Sequence, residues 1–350
     1  MALDQQKTLN GCRTSRLTDS NGPAGKLRAR FPRAWSRVGR YSNWLQIVKE
    51  HGTPSTILQF GCGLGDHLLL TCIAHELSRR GGKRVWVGSN YPDIFRHNVA
   101  VQHVIPEEMI APFSSRKNWL LARSPAIVLS PSYAPHVPGE RRDLPPEKHI
   151  LASMCEQAGI RGSVQLRPYL SLTGEEKKMG SRIGRQVVIQ TSGRSARQFM
   201  WTKEWFPERF QEVANRLKQE VNFVQLGHAS DPLIEGAIDL RGQTGIRESA
   251  AILANSILFV GLVGFLMHLA RAVDCPSAII YGGRELPEQT GYVCNLNITG
   301  NTPCSPCWRY DDCPGGRACM DQIKVDQVVE TIRLRLADVV RPLAVQEFVL

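Results

Sequence analysis

The feature that most constrains this fold is a repeated alternation of short apolar segments with longer amphipathic ones. Each apolar segment has four or five residues, which suits a buried strand, and helical spacing follows most of them. Strands that alternate with helices form parallel sheets with right-handed crossovers. The sequence therefore predicts an α/β protein with strands at residues 56–60, 84–87, 126–129, 186–190, 222–226, 257–260 and 277–281.

A charged, glycine-containing stretch at residues 175–185 interrupts this alternation. We interpret it as a linker, because 350 residues suffice for two domains of ordinary size. The predicted units are a basic arm with an amphipathic helix at 1–50, a Rossmann-like domain at 51–180, and a second one at 181–350. Ligands of such sheets bind at the carboxyl ends of the strands, so we expect the site in the cleft between the domains.

Charge narrows the choice of partners. The 43 Lys and Arg residues exceed the 32 Asp and Glu residues, which gives a formal net charge of +11. Part of this excess lies in the first forty residues, which either form a solvated tail or bind an acidic partner such as a membrane surface or a phosphorylated glycan. Few aromatic residues interrupt the arm, so nucleic acid is not the expected partner.

One apolar stretch, Ala250 to Ala270, is long enough to suggest a membrane span. It contains Asn255, Gly264 and His268, and it divides into a helix end, a strand, a glycine-containing turn and a new helix. We interpret it as buried core. Because the N-terminus has no apolar signal segment, we expect a cytoplasmic protein, either free or peripheral at the inner face of a membrane.

A glycine-rich turn, Gly61-Cys62-Gly63-Leu64-Gly65-Asp66, follows the first predicted strand and opens a helix. Such a turn lets the backbone approach an anionic ligand, and it suits a dinucleotide, S-adenosylmethionine or a sugar phosphate. The first two ligands require an acidic residue at the end of the second strand, where this chain has Val-Gly-Ser-Asn at residues 87–90. Asp66 itself is either a helix cap or a general base.

Several segments occur in an order typical of a known enzyme family. They are Gly63–Thr71, Tyr91–Asn98, Lys203–Phe210, Asp239–Thr244 and Met267–Ala270, followed by a cysteine-rich C-terminal segment. Together they resemble glycosyltransferase family 9, the ADP-heptose:lipopolysaccharide heptosyltransferases. The resemblance implies a GT-B fold, in which two Rossmann-like domains face a central cleft. It also implies inverting transfer of a sugar from a nucleotide-diphosphate sugar, such as ADP-heptose, to a hydroxyl of a glycan, a protein or a small molecule.

The same resemblance implies roles for individual residues. Asp66 would be the base that activates the acceptor hydroxyl, beside Gly63 and Gly65 of the glycine loop. No catalytic metal is required in this chemistry, because cations and amide dipoles stabilise the leaving diphosphate. The implied donor-binding residues are Thr191, Ser192, Lys203, Gly264 and His268. Taken alone, Lys203 would be interpreted as a solvated surface lysine, but Trp205 and Pro207 beside it favour the phosphate role. His268 is equally well explained as a buried structural histidine.

The donor loop departs from the family pattern. Val263, Gly264 and Phe265 stand where the family has an Asp, a Thr and a Gly. The change removes a carboxylate and a hydroxyl expected at the donor, and each lost buried polar partner costs about 1–3 kcal/mol. The chain is therefore either an enzyme with a different donor or donor pose, or a catalytically degenerate GT-B binding or scaffold protein. The retained Asp66 and Lys203 favour an enzyme over this alternative. A methyltransferase is disfavoured because the second strand lacks the acidic residue expected at its end.

Four of the ten cysteines lie close together near the C-terminus. A disulfide framework is not expected in a protein without an export signal. Thiolates at this spacing suit a structural zinc or iron ion, and four free thiols are the alternative. The predicted ligands are Cys304, Cys307, Cys313 and Cys319, which would hold a loop in place and take no part in the chemistry.

Overall fold

The computed structural model describes residues 46–60, 63–82, 84–110, 126–194, 196, 198–337 and 344–350. Residues 46–51 are helical, in agreement with the end of the predicted N-terminal helix. The rest of the basic arm lies outside the described residues, and so do Gly61 and Cys62 of the glycine turn. We call residues 46–172 the first half and residues 173–337 the second half.

A parallel sheet of four strands forms the centre of the first half. Its strands are β1 (Thr56–Gln59), β2 (Val85–Gly88), β3 (His103–Ile105) and β4 (Ile127–Leu129). They lie in the order β3-β2-β1-β4, with Leu58 of β1 opposite Val87 and Leu129. The side chains of β1 and β2 are largely buried because the sheet is covered on both faces, which explains their continuous apolar sequence.

A parallel sheet of six strands forms the centre of the second half. Its strands are β6 (Gln186–Ile189), β7 (Asn222–Gln225), β8 (Ile238–Asp239), β9 (Leu258–Leu262), β10 (Ser277–Ile280) and β11 (Leu296–Ile298). The order is β11-β10-β9-β6-β7-β8. Two further strands, β5 (Ser163–Gln165) and β12 (Glu347–Val349), form an antiparallel pair that returns the end of the chain to the first half.

The helices connect these strands as the alternation predicts. They are α1 (Leu64–Gly81), α2 (Ile150–Gln157), α3 (Gly174–Lys178), α4 (Pro207–Leu217), α5 (Ile246–Ala254), α6 (Phe265–Ala272), α7 (Pro287–Thr290), α8 (Ala318–Gln322) and α9 (Val325–Ala337). Short 3-10 helices lie at Pro92–Ile94, Glu107–Met109 and Trp201–Lys203. The predicted α/β class with two parallel sheets is confirmed.

The stretch predicted to be a linker is partly helical and is bound to α5. It begins within α3, where Thr173 and Glu176 cap the helix reciprocally. Glu176 accepts two hydrogen bonds from Arg247 of α5, at 2.5 and 2.6 Å. The same guanidinium donates to the carbonyl of Ser171 at 2.6 Å. This buried cation therefore fixes the passage between the two halves.

The apolar stretch from Ala250 to Ala270 is part of the core, as predicted. It forms the end of α5, strand β9, a turn at Val263 and Gly264, and the start of α6. Among the described residues, no helix is both long and apolar enough to cross a membrane.

The two halves meet where α1 packs against α6. A Cβ atom placed on Gly65, in the first turn of α1, would lie 3.7 Å from the Cα atom of Phe265, which begins α6. Apolar side chains from both halves, such as Leu69 and Leu269, belong to one buried cluster. The N-termini of the two helices therefore lie side by side.

Two buried histidines lie near this contact. The Nδ1 atom of His149 accepts the N–H of Leu151 at 3.2 Å, and its Nε2 atom donates to the carbonyl of Gly291 in the second half at 2.9 Å. These partners suit a neutral ring. Burial lowers the pKa of His149 to about 4 and that of His268 to about 3.

We predict that the free energy of unfolding falls as the pH drops from 6.5 towards 4. In this pH range the two histidines bind protons in the unfolded chain but stay neutral in the folded protein. Each histidine therefore makes the free energy of unfolding fall by about 1.4 kcal/mol per pH unit. Urea unfolding at several pH values measures the slope. His149→Gln should remove about one histidine's share, and His228→Gln, at an exposed ring, should not. Equal slopes in all three proteins would contradict the prediction.

Candidate active site

Asp66 is held in the first turn of α1 by hydrogen bonds to both carboxylate oxygens. Its Oδ2 atom accepts the N–H of Gly63 at 2.8 Å, and its Oδ1 atom accepts the hydroxyl of Tyr133 at 2.7 Å. Burial raises the pKa of Asp66, while these two bonds act to lower it. Asp66 thus caps the helix, as one of the two interpretations held, and the cap fixes the carboxylate at the contact between the halves.

Tyr133 is a site residue that the sequence analysis missed. It follows β4, and its ring stacks on that of Phe60 with a centroid distance of 5.9 Å. Burial and the nearby charge of Asp66 raise the pKa of Tyr133 well above its usual value. The hydroxyl therefore stays protonated and donates to the carboxylate.

Lys203 lies at the end of the 3-10 turn at Trp201–Lys203 in the second half. Its Nζ atom is 2.5 Å from Oε1 of Glu285, and only 20% of its side chain is exposed. Burial lowers the pKa of Lys203, and Glu285 acts against this effect. Burial raises the pKa of Asp66, and Lys203 is among the groups that act to lower it. These contacts do not fit an ordinary surface lysine.

Glu285 and Arg284, which follow β10, were also missed. Burial alone would raise the pKa of Glu285, but Lys203 and Arg284 together lower it to about 2. The buried guanidinium of Arg284 pairs with Glu285 and donates to the carbonyl of Arg309 at 2.8 Å. The charge of Lys203 is therefore already balanced by a buried, ionised carboxylate.

Thr191 and Ser192 follow β6 and are buried. Thr191 donates its hydroxyl to the carbonyl of Pro232 at 2.7 Å, and Ser192 donates to Oε2 of Glu204, also at 2.7 Å. Both hydroxyls thus fix the loop between β6 and Lys203. Direct contact of either residue with a donor stays a prediction.

Gly264 and His268 lie at the start of α6. No side chain of the described residues caps this N-terminus, which follows Gly264 directly. The Nδ1 atom of His268 lies 2.7 Å from the hydroxyl of Tyr292, and the ring is buried against Gly65. These contacts fit the structural interpretation of His268, and its contact with a donor stays a prediction.

The four clustered cysteines lie on or beside one loop between β11 and the end of α8. Cys304 is exposed, Cys307 and Cys313 are half-buried, and Cys319 is buried. Within the part of the chain that the structure describes, no three His, Cys, Asp or Glu side chains are grouped so as to hold a metal ion. The predicted metal site is therefore not supported by the geometry of the side chains.

Comparisons with known proteins support the family resemblance and the fold. Residues 175–315 match the model of glycosyltransferase family 9 (heptosyltransferase). The resemblance to glycosyltransferase family 9 is confirmed. This family match indicates a glycosyltransferase and disfavours the methyltransferase alternative. No curated protein sequence matches the chain at a significant level.

Solved structures show the same fold at low sequence identity. The iron-containing dodecameric glycosyltransferase TibC from enterotoxigenic E. coli has a TM-score of 0.62 at 17% identity, covering 82% of this chain and 76% of its own. E. coli ADP-heptose lipopolysaccharide heptosyltransferase II has a TM-score of 0.60 at 19% identity, and the match covers 81% of this chain and 99% of that protein. A family 9 glycosyltransferase from Veillonella parvula has a TM-score of 0.58 at 14% identity, and the match covers 81% of this chain and 97% of that protein. The predicted GT-B fold is confirmed.

Removing the hydroxyl of Tyr133 should raise the pKa of Asp66. The Tyr133→Phe variant loses a donor that stabilises the ionised carboxylate but keeps the ring that packs on Phe60. Titration of side-chain carboxyl carbons by NMR, with the Asp66 signal assigned through Asp66→Asn, measures the change. Tyr169→Phe is the control, because that hydroxyl bonds to Gln165. An Asp66 titration identical in wild type and Tyr133→Phe would disprove the assigned hydrogen bond.

Proposed function

We propose that this chain is an inverting glycosyltransferase that moves a sugar from a nucleotide-diphosphate sugar to an acceptor hydroxyl. One observation carries the proposal: the buried carboxylate of Asp66 lies in the first turn of α1, where this helix of the first half meets α6 of the second half, and Lys203 of the second half acts to lower its pKa against the larger effect of burial. A base and a cation on opposite sides of such a contact are what an inverting transfer requires.

Asp66 would act as the general base. As the acceptor oxygen attacks the anomeric carbon, its proton passes to the carboxylate, and the bond from that carbon to the diphosphate oxygen breaks on the opposite face. The raised pKa of Asp66 makes it a better proton acceptor than a solvated aspartate. Hydrogen bonds from Gly63 and Tyr133 hold the carboxylate in one orientation. A general base must be oriented towards the proton that it accepts, so this restraint supports the proposed role.

The second half would stabilise the negative charge that develops on the leaving diphosphate. Lys203 supplies a cation, and the uncapped N-terminus of α6 supplies backbone N–H groups and the positive end of its dipole. Glu285 competes for the lysine, so the diphosphate would have to share or displace this partner. None of these groups requires a catalytic metal ion.

ADP-heptose is the first donor to test. Heptosyltransferase II is described as an ADP-heptose enzyme, and a TibC structure was determined with ADP-D-β-D-heptose. Because Val263 and Phe265 replace polar or small residues of the family loop, GDP- and UDP-sugars belong in the same screen. The acceptor would be a hydroxyl of a glycan, a protein or a small molecule. Peripheral membrane binding through the basic arm stays a prediction.

A second candidate function is binding without catalysis. The apolar donor loop and the neutralised lysine both favour it, since they weaken the attraction for a diphosphate. A thermal-shift screen against ADP-, GDP- and UDP-sugars, followed by a transfer assay, separates the two functions. Stabilisation without turnover would indicate a binding protein, and no stabilisation by any of the nucleotide sugars would count against both.

Asp66→Asn should lower the transfer rate at least about 100-fold, because general base catalysis typically contributes that much. Donor binding, measured by thermal shift, should be retained. Asp93→Asn is the control, since this aspartate of the first half forms an exposed ion pair with Arg96. Turnover by Asp66→Asn at the wild-type rate would exclude the assigned base.

We further propose that the cysteine cluster binds a structural metal ion. The support is the spacing of the four cysteines along one segment, and their side chains would have to move closer together to bind one ion. TibC, which shares the fold, is described as iron-containing. A zinc or iron ion bound by the four thiolates would cross-link the loop.

Elemental analysis tests this proposal. Protein purified without added metal should contain close to one equivalent of zinc or iron, and Cys307→Ser should lose it. Cys294→Ser, which changes a cysteine outside the cluster, should keep the metal. Absence of near-stoichiometric metal from the wild type would leave the four residues as free thiols.

A further inference from the structure

The loop that carries the clustered cysteines also encloses the turn that carries Lys203. We call residues 302–317 the cysteine loop. The hydroxyl of Thr202 lies 2.7 Å from the carbonyl of Arg309 and 3.1 Å from that of Tyr310, and the N–H of Thr202 donates to the same Tyr310 carbonyl at 3.2 Å. Thr202 is buried. The residue next to the lysine is therefore bound to the backbone of the cysteine loop.

The other end of the loop holds the turn from a second side. The guanidinium of Arg317 lies 4.2 Å from the ring centroid of Trp201 and donates to the carbonyl of Glu204 at 2.7 Å. Trp201 and Glu204 flank Thr202 and Lys203 in the chain. Residues 201–204 are thus held by contacts at both ends, which limits the positions that the Lys203 side chain can take.

The partner of Lys203 is held by the same loop. Arg284, which pairs with Glu285, stacks on the buried ring of Trp308 at 4.9 Å and donates to the carbonyl of Arg309. The indole N–H of Trp308 donates to Gln289 at 2.9 Å. The loop therefore contacts both members of the Lys203–Glu285 pair through their immediate neighbours.

The loop also reaches the first half. The N–H of Asp143 donates to the carbonyl of Trp308 at 3.1 Å, and the N–H of Tyr310 donates to that of Arg141 at 3.0 Å. The hydroxyl of Tyr310 donates to the carboxylate of Asp143 and lies 3.1 Å from Nδ1 of His136. One segment thus contacts the lysine turn of the second half and residues 136–143 of the first.

We propose that the cysteine loop positions Lys203 relative to Asp66, with Thr202 and Arg317 as positioning residues. A lysine side chain has high rotamer entropy, and a fixed backbone lowers the cost of holding its ammonium group in one place. The proposal deepens the proposed function, because it rests on Lys203 being the group that receives the donor diphosphate. It gives the cysteine motif a role at the site without making it part of the chemistry.

Thr202→Val tests the proposal, since it removes the hydroxyl and keeps the shape of the side chain. The rate at which Lys203 reacts with acetic anhydride, followed by peptide mass spectrometry on the full chain, should rise at least about threefold as the amine leaves its buried pairing. Arg333→Ala is the control, because it removes an exposed ion pair of the second half, Arg333–Glu220, that lies outside the cysteine loop. A Lys203 rate in Thr202→Val equal to that of the wild type would overturn the proposal.

Arg317→Lys keeps the result interpretable if Thr202→Val does not fold. It retains the positive charge but loses the planar stacking on Trp201, and Lys203 should again react faster. A variant that lowers only the melting temperature, with Lys203 reactivity unchanged, would show a merely structural role and would also overturn the proposal.

Calorimetric titration with ADP separates this proposal from the proposed function. If both proposals hold, Thr202→Val should bind ADP about three- to tenfold more weakly than wild type, while Arg333→Ala binds it as well as wild type. If the wild type binds none of ADP, GDP and UDP while Lys203 reacts faster in Thr202→Val, the positioning role stands and the donor assignment fails. ADP binding that is equal in wild type and Thr202→Val would remove the link to the diphosphate.

Discussion

The arrangement of the site depends on the contact between the first turns of α1 and α6. Helix N-termini carry partial positive charge, so two that lie side by side favour negative charge between them. At α1 this charge is supplied by Asp66, which accepts the N–H of Gly63. The first turn of α6 contains no acidic residue and, among the described residues, no side chain caps it. The contact is therefore asymmetric: an acidic side chain binds the first backbone amide at the start of α1, and no described side chain does so at the start of α6.

The charged side chains around this contact extend the asymmetry. On the side of the first half, a tyrosine hydroxyl and a backbone amide restrain a single carboxylate whose pKa is raised by burial. On the side of the second half, Lys203, Glu285 and Arg284 form a buried, hydrogen-bonded group, and Arg284 also lies 3.5 Å from a carboxylate oxygen of Asp143 in the first half. A buried ion pair is costly to break if one partner is left alone. A diphosphate that displaces Glu285 must therefore leave that carboxylate with Arg284, which already contacts it.

Sequence periodicity predicted the main strands because parallel strands buried on both faces are continuous apolar runs. It missed β3, β5, β8, β11 and β12, which have only two or three residues and carry too little pattern to be recognised. Asp66 and Lys203 were found through segments that resemble a family. Tyr133 was not, because its partner lies 67 residues away and a lone tyrosine after a strand has many explanations. Sequence alone also did not show that the hydroxyls of Thr191 and Ser192 form hydrogen bonds within the protein, and their contact with a donor stays a prediction.

The apolar residue at position 263 of the loop before α6 is explained by its surroundings. Val263 is buried in the apolar cluster shared by both halves, so a carboxylate at that position would lose its hydration among apolar side chains. The nearby buried carboxylate is instead Glu285, which follows β10, the strand paired with β9. Unlike a carboxylate at position 263, Glu285 has two cationic partners, and they lower its pKa to about 2. The second half thus combines an apolar loop with an ionised acid one strand away. In the proposed transfer reaction, the diphosphate of the donor would have to separate Lys203 from Glu285.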